Sequence, residues 1–132
     1  MSMKLTLSSA VLFFGVLGLI GVTASPALAV KEFKDAFRAK YVKPDSSDAN
    51  AVALANAFDQ ASCTVCHVGD NKKIRNDYGK QLARLLTKED KKNKAKIQAA
   101  LDSVAKLKSK PSDPASPTFG EKIASGKLPA AD

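Results

Sequence analysis

The chain has 132 residues, of which 21 are Lys or Arg and 13 are Asp or Glu, for a formal net charge of +8. That length allows one small domain, and so short a chain buries little core unless a cofactor, a metal or a disulfide adds to it. The basic balance favours acidic partners or an anionic membrane surface over nucleic acid, which an exported protein does not meet.

Export is what the first residues suggest. Lys4 supplies a short positive region, Leu5 to Ala24 an apolar one, and Ala27-Leu28-Ala29 a small-residue cleavage site, so residues 1–29 read as a secretory signal peptide. A mature chain starting at Val30 would hold 103 residues and, without Lys4, a charge of +7. Leu5 to Ala24 is about 20 residues and long enough for an uncleaved anchor. Ser8, Ser9, Thr23 and the glycines thin its apolarity, however, and the Ala-Leu-Ala site favours cleavage into a periplasmic or otherwise exported protein.

Helical spacing dominates the rest. Phe33, Ala36, Phe37 and Tyr41 recur at helical intervals and predict an amphipathic helix from Lys31 to Val42, ended near Pro44. Ser46-Ser47-Asp48 offers capping oxygens to a second helix from Ala49 to about Ser62, with Val52, Leu54 and Phe58 as its apolar body. Gly69-Asp70-Asn71 breaks the chain, and Asn76 or Asp77 caps a third helix through Leu86 that aligns Tyr78, Leu82, Leu85 and Leu86. Thr87-Lys88-Glu89-Asp90 has the form of a capping box opening a fourth helix to about Lys108, with Ile97, Ala100, Leu101, Val104 and Leu107 on one stripe. These elements make residues 30–110 a helical domain. Residues 111–132 follow as a Pro-rich connector and a short helix from Thr118 to Ser125, stopped by Gly126. The connector either drapes over the domain, with Phe119 and Ile123 packed back, or frays as a polar tail.

Between the second and third helices lies Cys63-Thr64-Val65-Cys66-His67, which holds both cysteines and the single histidine of the chain. Cys-x-x-Cys-His is the spacing of c-type haem attachment: two thiols add to the two vinyl groups of one porphyrin and the next residue ligates the iron. Three other readings stand beside it. A disulfide oxidoreductase would use Cys63 as nucleophile, but no Val/Ile-rich strand pattern supplies its βαβ scaffold. Zinc wants four ligands, and the motif supplies three. A structural disulfide is tight at a two-residue spacing and leaves His67 without a role.

On these residues the chain resembles a monohaem c-type cytochrome of class I, over roughly Ala49 to Lys108: helix, motif, intermediate helix, longer late helix. The early motif argues against the four-helix cytochrome c′ type. Cys66-His67-Val68-Gly69 followed by Asn76-Asp77-Tyr78-Gly79-Lys80-Gln81-Leu82 is also similar to a set of small bacterial cytochromes with an Asn-x-Tyr-Gly helix start. The resemblance implies an all-α, cytochrome c-like domain wrapped around one covalent haem c, with thioethers at Cys63 and Cys66 and His67 as proximal iron ligand. Its implied work is one-electron transfer with an acidic redox partner protein, and not enzymatic turnover. A gas-binding or sensing haem protein, a weak peroxidase and a haem-bearing subunit of a respiratory complex are the alternatives.

One departure matters. Class I carriers place a methionine on the distal side of the iron, and here Met1 and Met3, the only two methionines, both lie in the signal region. The distal position is then open, held by water, or filled by a less usual donor: Lys72, Lys73, Lys80, Lys88 or Lys127, Tyr78, Asn76, the amine freed at Val30, or another molecule. Without methionine a lower potential is expected. Lys72, Lys73 and Arg75 would neutralise haem propionates or ring the haem edge, whereas Lys91, Lys92, Lys94 and Lys96 form a second cluster; each is also readable as a solvated face.

Overall fold

The computed structural model describes residues 30–132; the expected signal peptide lies outside the described residues. The domain is mostly helical, with five α-helices and a small two-stranded sheet. α1 (Lys31–Tyr41) buries Phe37 and ends as Val42 turns extended. α2 (Ala49–Ala61) opens on Asp48, whose carboxylate accepts the Asn50 N–H at 2.9 Å, a cap that satisfies a donor left free at every helix start. α3 (Asp77–Leu85) is capped by Asn76, α4 (Lys94–Ala105) by Asn93 and α5 (Phe119–Ala124) by Thr118.

Two expectations about regular structure are corrected. The break at Gly69 is the turn of an antiparallel hairpin, β1 (His67–Val68) and β2 (Asn71–Arg75), so the fold is not purely α. Gly69, at φ +53°, takes the left-handed backbone that the first turn residue needs, and Asp70 follows as the second. The Thr87 capping box is formed, but it opens a 3-10 turn, Lys88–Lys92. A fresh cap at Asn93, accepting the Lys96 N–H at 3.0 Å, then starts α4. Because α4 stops at Ala105, Leu107 falls off its stripe and is exposed, as is Leu85 at the end of α3.

Aromatic rings hold the centre. Phe37 stacks on Phe58 with centroids 5.8 Å apart, Tyr78 meets Phe37 edge-on at 5.8 Å, and Phe119 meets Tyr78 at 5.3 Å. Burying each such ring contributes about 1.5–3 kcal/mol. Leu54, Leu82, Leu86, Ile97, Leu101 and Val104 belong to the same core. The Pro-rich connector drapes and does not fray: the Ser109 N–H donates to the Pro117 carbonyl at 2.9 Å, and Ser116 is buried with its hydroxyl donating to the Asp113 and Lys110 carbonyls. Phe119 and Ile123 thereby reach the core.

Candidate functional site

The Cys-x-x-Cys-His segment is a turn pressed between α2, the hairpin and α3. Ser62, just past α2, has φ +47°, a left-handed conformation unusual for a residue with a side chain, and turns the chain into a 3-10 segment, Ser62–Val65. Thr64 Oγ1 donates back to the Ala61 carbonyl at 3.0 Å, and the Cys66 N–H donates to the Cys63 carbonyl at 3.3 Å.

Asn76 then fastens this turn to α3. Its Nδ2 donates to the Thr64 carbonyl at 2.9 Å and the Val65 carbonyl at 3.1 Å, while its Oδ1 accepts the Gly79 N–H at 2.9 Å. The Asn76 N–H adds a bond to the Cys66 carbonyl at 3.0 Å. Gly79 allows the close approach: a Cβ there would sit 2.0 Å from the Cys66 carbonyl oxygen, which no side chain survives. Asn76, weighed from sequence as an iron donor, is thus committed to backbone.

His67 is 7% exposed, and its Nδ1 bonds the Ile74 carbonyl across the hairpin at 3.3 Å. A carbonyl only accepts, so Nδ1 carries a proton, and in the neutral ring Nε2 then keeps its lone pair, the arrangement of metal-ligating imidazoles. The two thiols are free. Burial, with a smaller contribution from the Cys63 sulfur, pushes the Cys66 thiol up to about 12 against the opposing pull of Arg75. Among the described residues no group of three or more His, Cys, Asp and Glu side chains converges to hold a metal ion. The motif therefore does not fold in on itself as a zinc site would.

Cys63, Cys66 and His67 instead line one cavity of about 590 Å³, within the roughly 300–1,000 Å³ range of cofactor sites. Its apolar lining comes from Val30 and Phe33, from Val65, and from Leu82, Ala83 and Leu86 on and after α3; Lys31, Lys34, Lys72, Arg75 and Lys88 supply positive charge, with Glu89 beside them. Haem, an apolar plane edged by carboxylates, fits that combination of apolar lining, cations, two thiols and a free imidazole nitrogen.

Of the expected distal donors, Lys72, Lys88 and Val30 line the cavity; Lys73, Lys80, Lys127, Asn76 and Tyr78 are not in its lining. Lys80 pairs with Asp77 at 2.9 Å. Tyr78 is fully buried among aromatic rings, its hydroxyl is without a hydrogen-bond partner, and burial pushes its phenol far above the ordinary value. Lys91, Lys92, Lys94 and Lys96 lie apart from the cavity lining, and Lys96 holds both Asp90 oxygens at 2.9 Å. The connector contributes nothing to the lining, so it does not cover the cavity.

Sequence reasoning missed Lys31, Lys34 and Phe33 as site residues, the clamp at Asn76 and the brace at Ile74. Gly69-Asp70 between Val68 and Asn71 was the available signal for the hairpin, because Gly followed by Asp is a two-residue hairpin turn. No protein-family model, curated protein or solved structure matches this chain. Its functional reading therefore comes from its own residues.

Proposed function

We propose that the protein is an exported c-type cytochrome that holds one haem covalently and exchanges single electrons with an acidic partner protein. The observation that carries this reading is the meeting of Cys63, Cys66 and His67 in the lining of one haem-sized cavity, with His67 Nδ1 tied to Ile74 and Nε2 left to ligate. Haem iron supplies the one-electron couple when bound. Cys63 and Cys66 would hold the porphyrin, each through a thioether made by adding S–H across a vinyl group with no net redox change. The Ile74 carbonyl fixes the plane and the tautomer of the imidazole. Lys31, Lys34, Lys72, Arg75 and Lys88 offset the propionates and present a positive face toward a partner.

The chain beyond Met3 has no methionine, and His67 has no companion histidine. That absence of the usual distal donors favours a gas-binding or sensing haem protein as the second reading. The test is expression with cytochrome maturation machinery, followed by mass spectrometry and ferrous spectra with and without CO. Covalent haem with sharp low-spin bands indifferent to CO supports the carrier. Avid CO binding moves the protein to the gas-binding class, and a product without covalent haem ends both readings.

A further inference from the structure

We propose that export processing completes the iron site: cleavage after Ala29 frees the α-amine of Val30, and that nitrogen becomes the sixth ligand of the iron. The inference rests on the haem reading above. Hydrolysis of the Ala29–Val30 peptide bond consumes one water, leaving a carboxylate on Ala29 and an amine on Val30. The amine gives its proton to solvent and its lone pair to iron, with no change of oxidation state.

Position carries the argument. Val30 and, from the first turn of α1, Phe33 and Lys34 line the same cavity as Cys63, Cys66 and His67. Val30 is also held in place. Its carbonyl accepts the Phe33 N–H at 3.1 Å, and α1 is anchored one turn later by Phe37, which is 1% exposed. An amine on Val30 therefore comes to the cavity on ordered backbone. The lysines in the lining, Lys31, Lys34, Lys72 and Lys88, would each have to freeze a long flexible stem to do the same. Proton affinity points the same way, since in water an α-amine releases its proton near about 7.8 and a lysine near about 10.4. The remaining nitrogen and phenol candidates are committed elsewhere, Asn76 to the Thr64 and Val65 carbonyls and Tyr78 to the aromatic core. It follows that the precursor, with Val30 still in peptide linkage, lacks this ligand, and that the amine-ligated state exists only after cleavage.

The test uses the mature, haem-loaded protein. Labelling with [15N]valine and pulsed EPR of the ferric state should show the hyperfine coupling of one directly bound valine nitrogen. Only a terminal valine amine can give that signal, and no variant is needed. In parallel, two glycines inserted between Ala29 and Val30 should displace the amine, convert the low-spin spectrum to high-spin and raise CO affinity at least tenfold, with added imidazole restoring the low-spin bands. Lys31→Ala, Lys34→Ala, Lys72→Ala and Lys88→Ala each remove a charge placed beside the propionates, and each loaded variant should keep the valine 15N coupling. Absence of the 15N coupling, an unchanged low-spin spectrum in the glycine-insertion variant, or a mature terminus other than Val30 overturns the proposal while leaving covalent haem in place. Absence of covalent haem is the separate failure of the underlying reading.

Discussion

One side-chain amide holds the motif turn to the helix beside it. Replacing Asn76 with Ala removes the donor to the Thr64 and Val65 carbonyls and the acceptor for the Gly79 N–H. The expected cost is about 2–3 kcal/mol, from a lost cap plus carbonyls left unpaired, read as a lower urea midpoint. Asn76→Asp keeps the acceptor but sets a carboxylate oxygen against the Thr64 and Val65 carbonyls, and should cost at least as much. Tyr78 makes the opposite case. Its buried hydroxyl bonds to nothing, so Tyr78→Phe should hold stability constant or raise it by about 1 kcal/mol. The same variant should leave the haem spectrum unaltered; a changed spectrum would restore the phenol as a ligand candidate.

Helices were legible at the scale of elements because their signals are local: apolar residues at helical spacing, and Asp48, Asn76 and Thr118 where a cap is needed. The hairpin was not. Asn71 to Ile74 are exposed, so no buried face imposes alternation on the sequence, and only its two-residue turn marks it. The fourth helix began late because Asp90, drawn to Thr87 and Lys96, closes one short turn before Asn93 opens the next. At its C-terminal end, α5 belongs to the core, and Phe119→Ala should cost about 3–5 kcal/mol in thermal or urea unfolding. Acid should weaken the two capping boxes. The Lys96 ammonium and then the Thr87 N–H hold the Asp90 carboxyl below its usual range, and the Thr118 N–H does the same for Glu121. A folded-state value below the unfolded one gives stability that is present above about pH 4 and lost as pH falls further. The melting temperature should therefore drop on acidification below that point, and Asp90→Asn should flatten the drop.

Taken whole, the molecule places a cation-rich cavity on a body with a strong positive excess, and reduction by an acidic partner should slow roughly tenfold or more from low to high salt. A salt-independent rate would remove electrostatic docking from the account. The motif could be read from five adjacent residues because its chemistry fixes their spacing. The cavity could not, since Phe33, Cys66 and Leu86 come together only through packing of distant segments. Among the described residues no helix is long and apolar enough to cross a membrane. The hairpin that braces His67 has a consequence for how the domain opens. It is two strands wide, with Val68 and Ile74 each about half exposed, and ribbons of that size are marginal by themselves. Local fraying of β2 thus releases the imidazole at a free energy well below that of global unfolding. In hydrogen exchange, amides of 71–75 should lose protection long before those of Leu101 and Val104, so the interior can persist while the His67 ring drifts out of alignment.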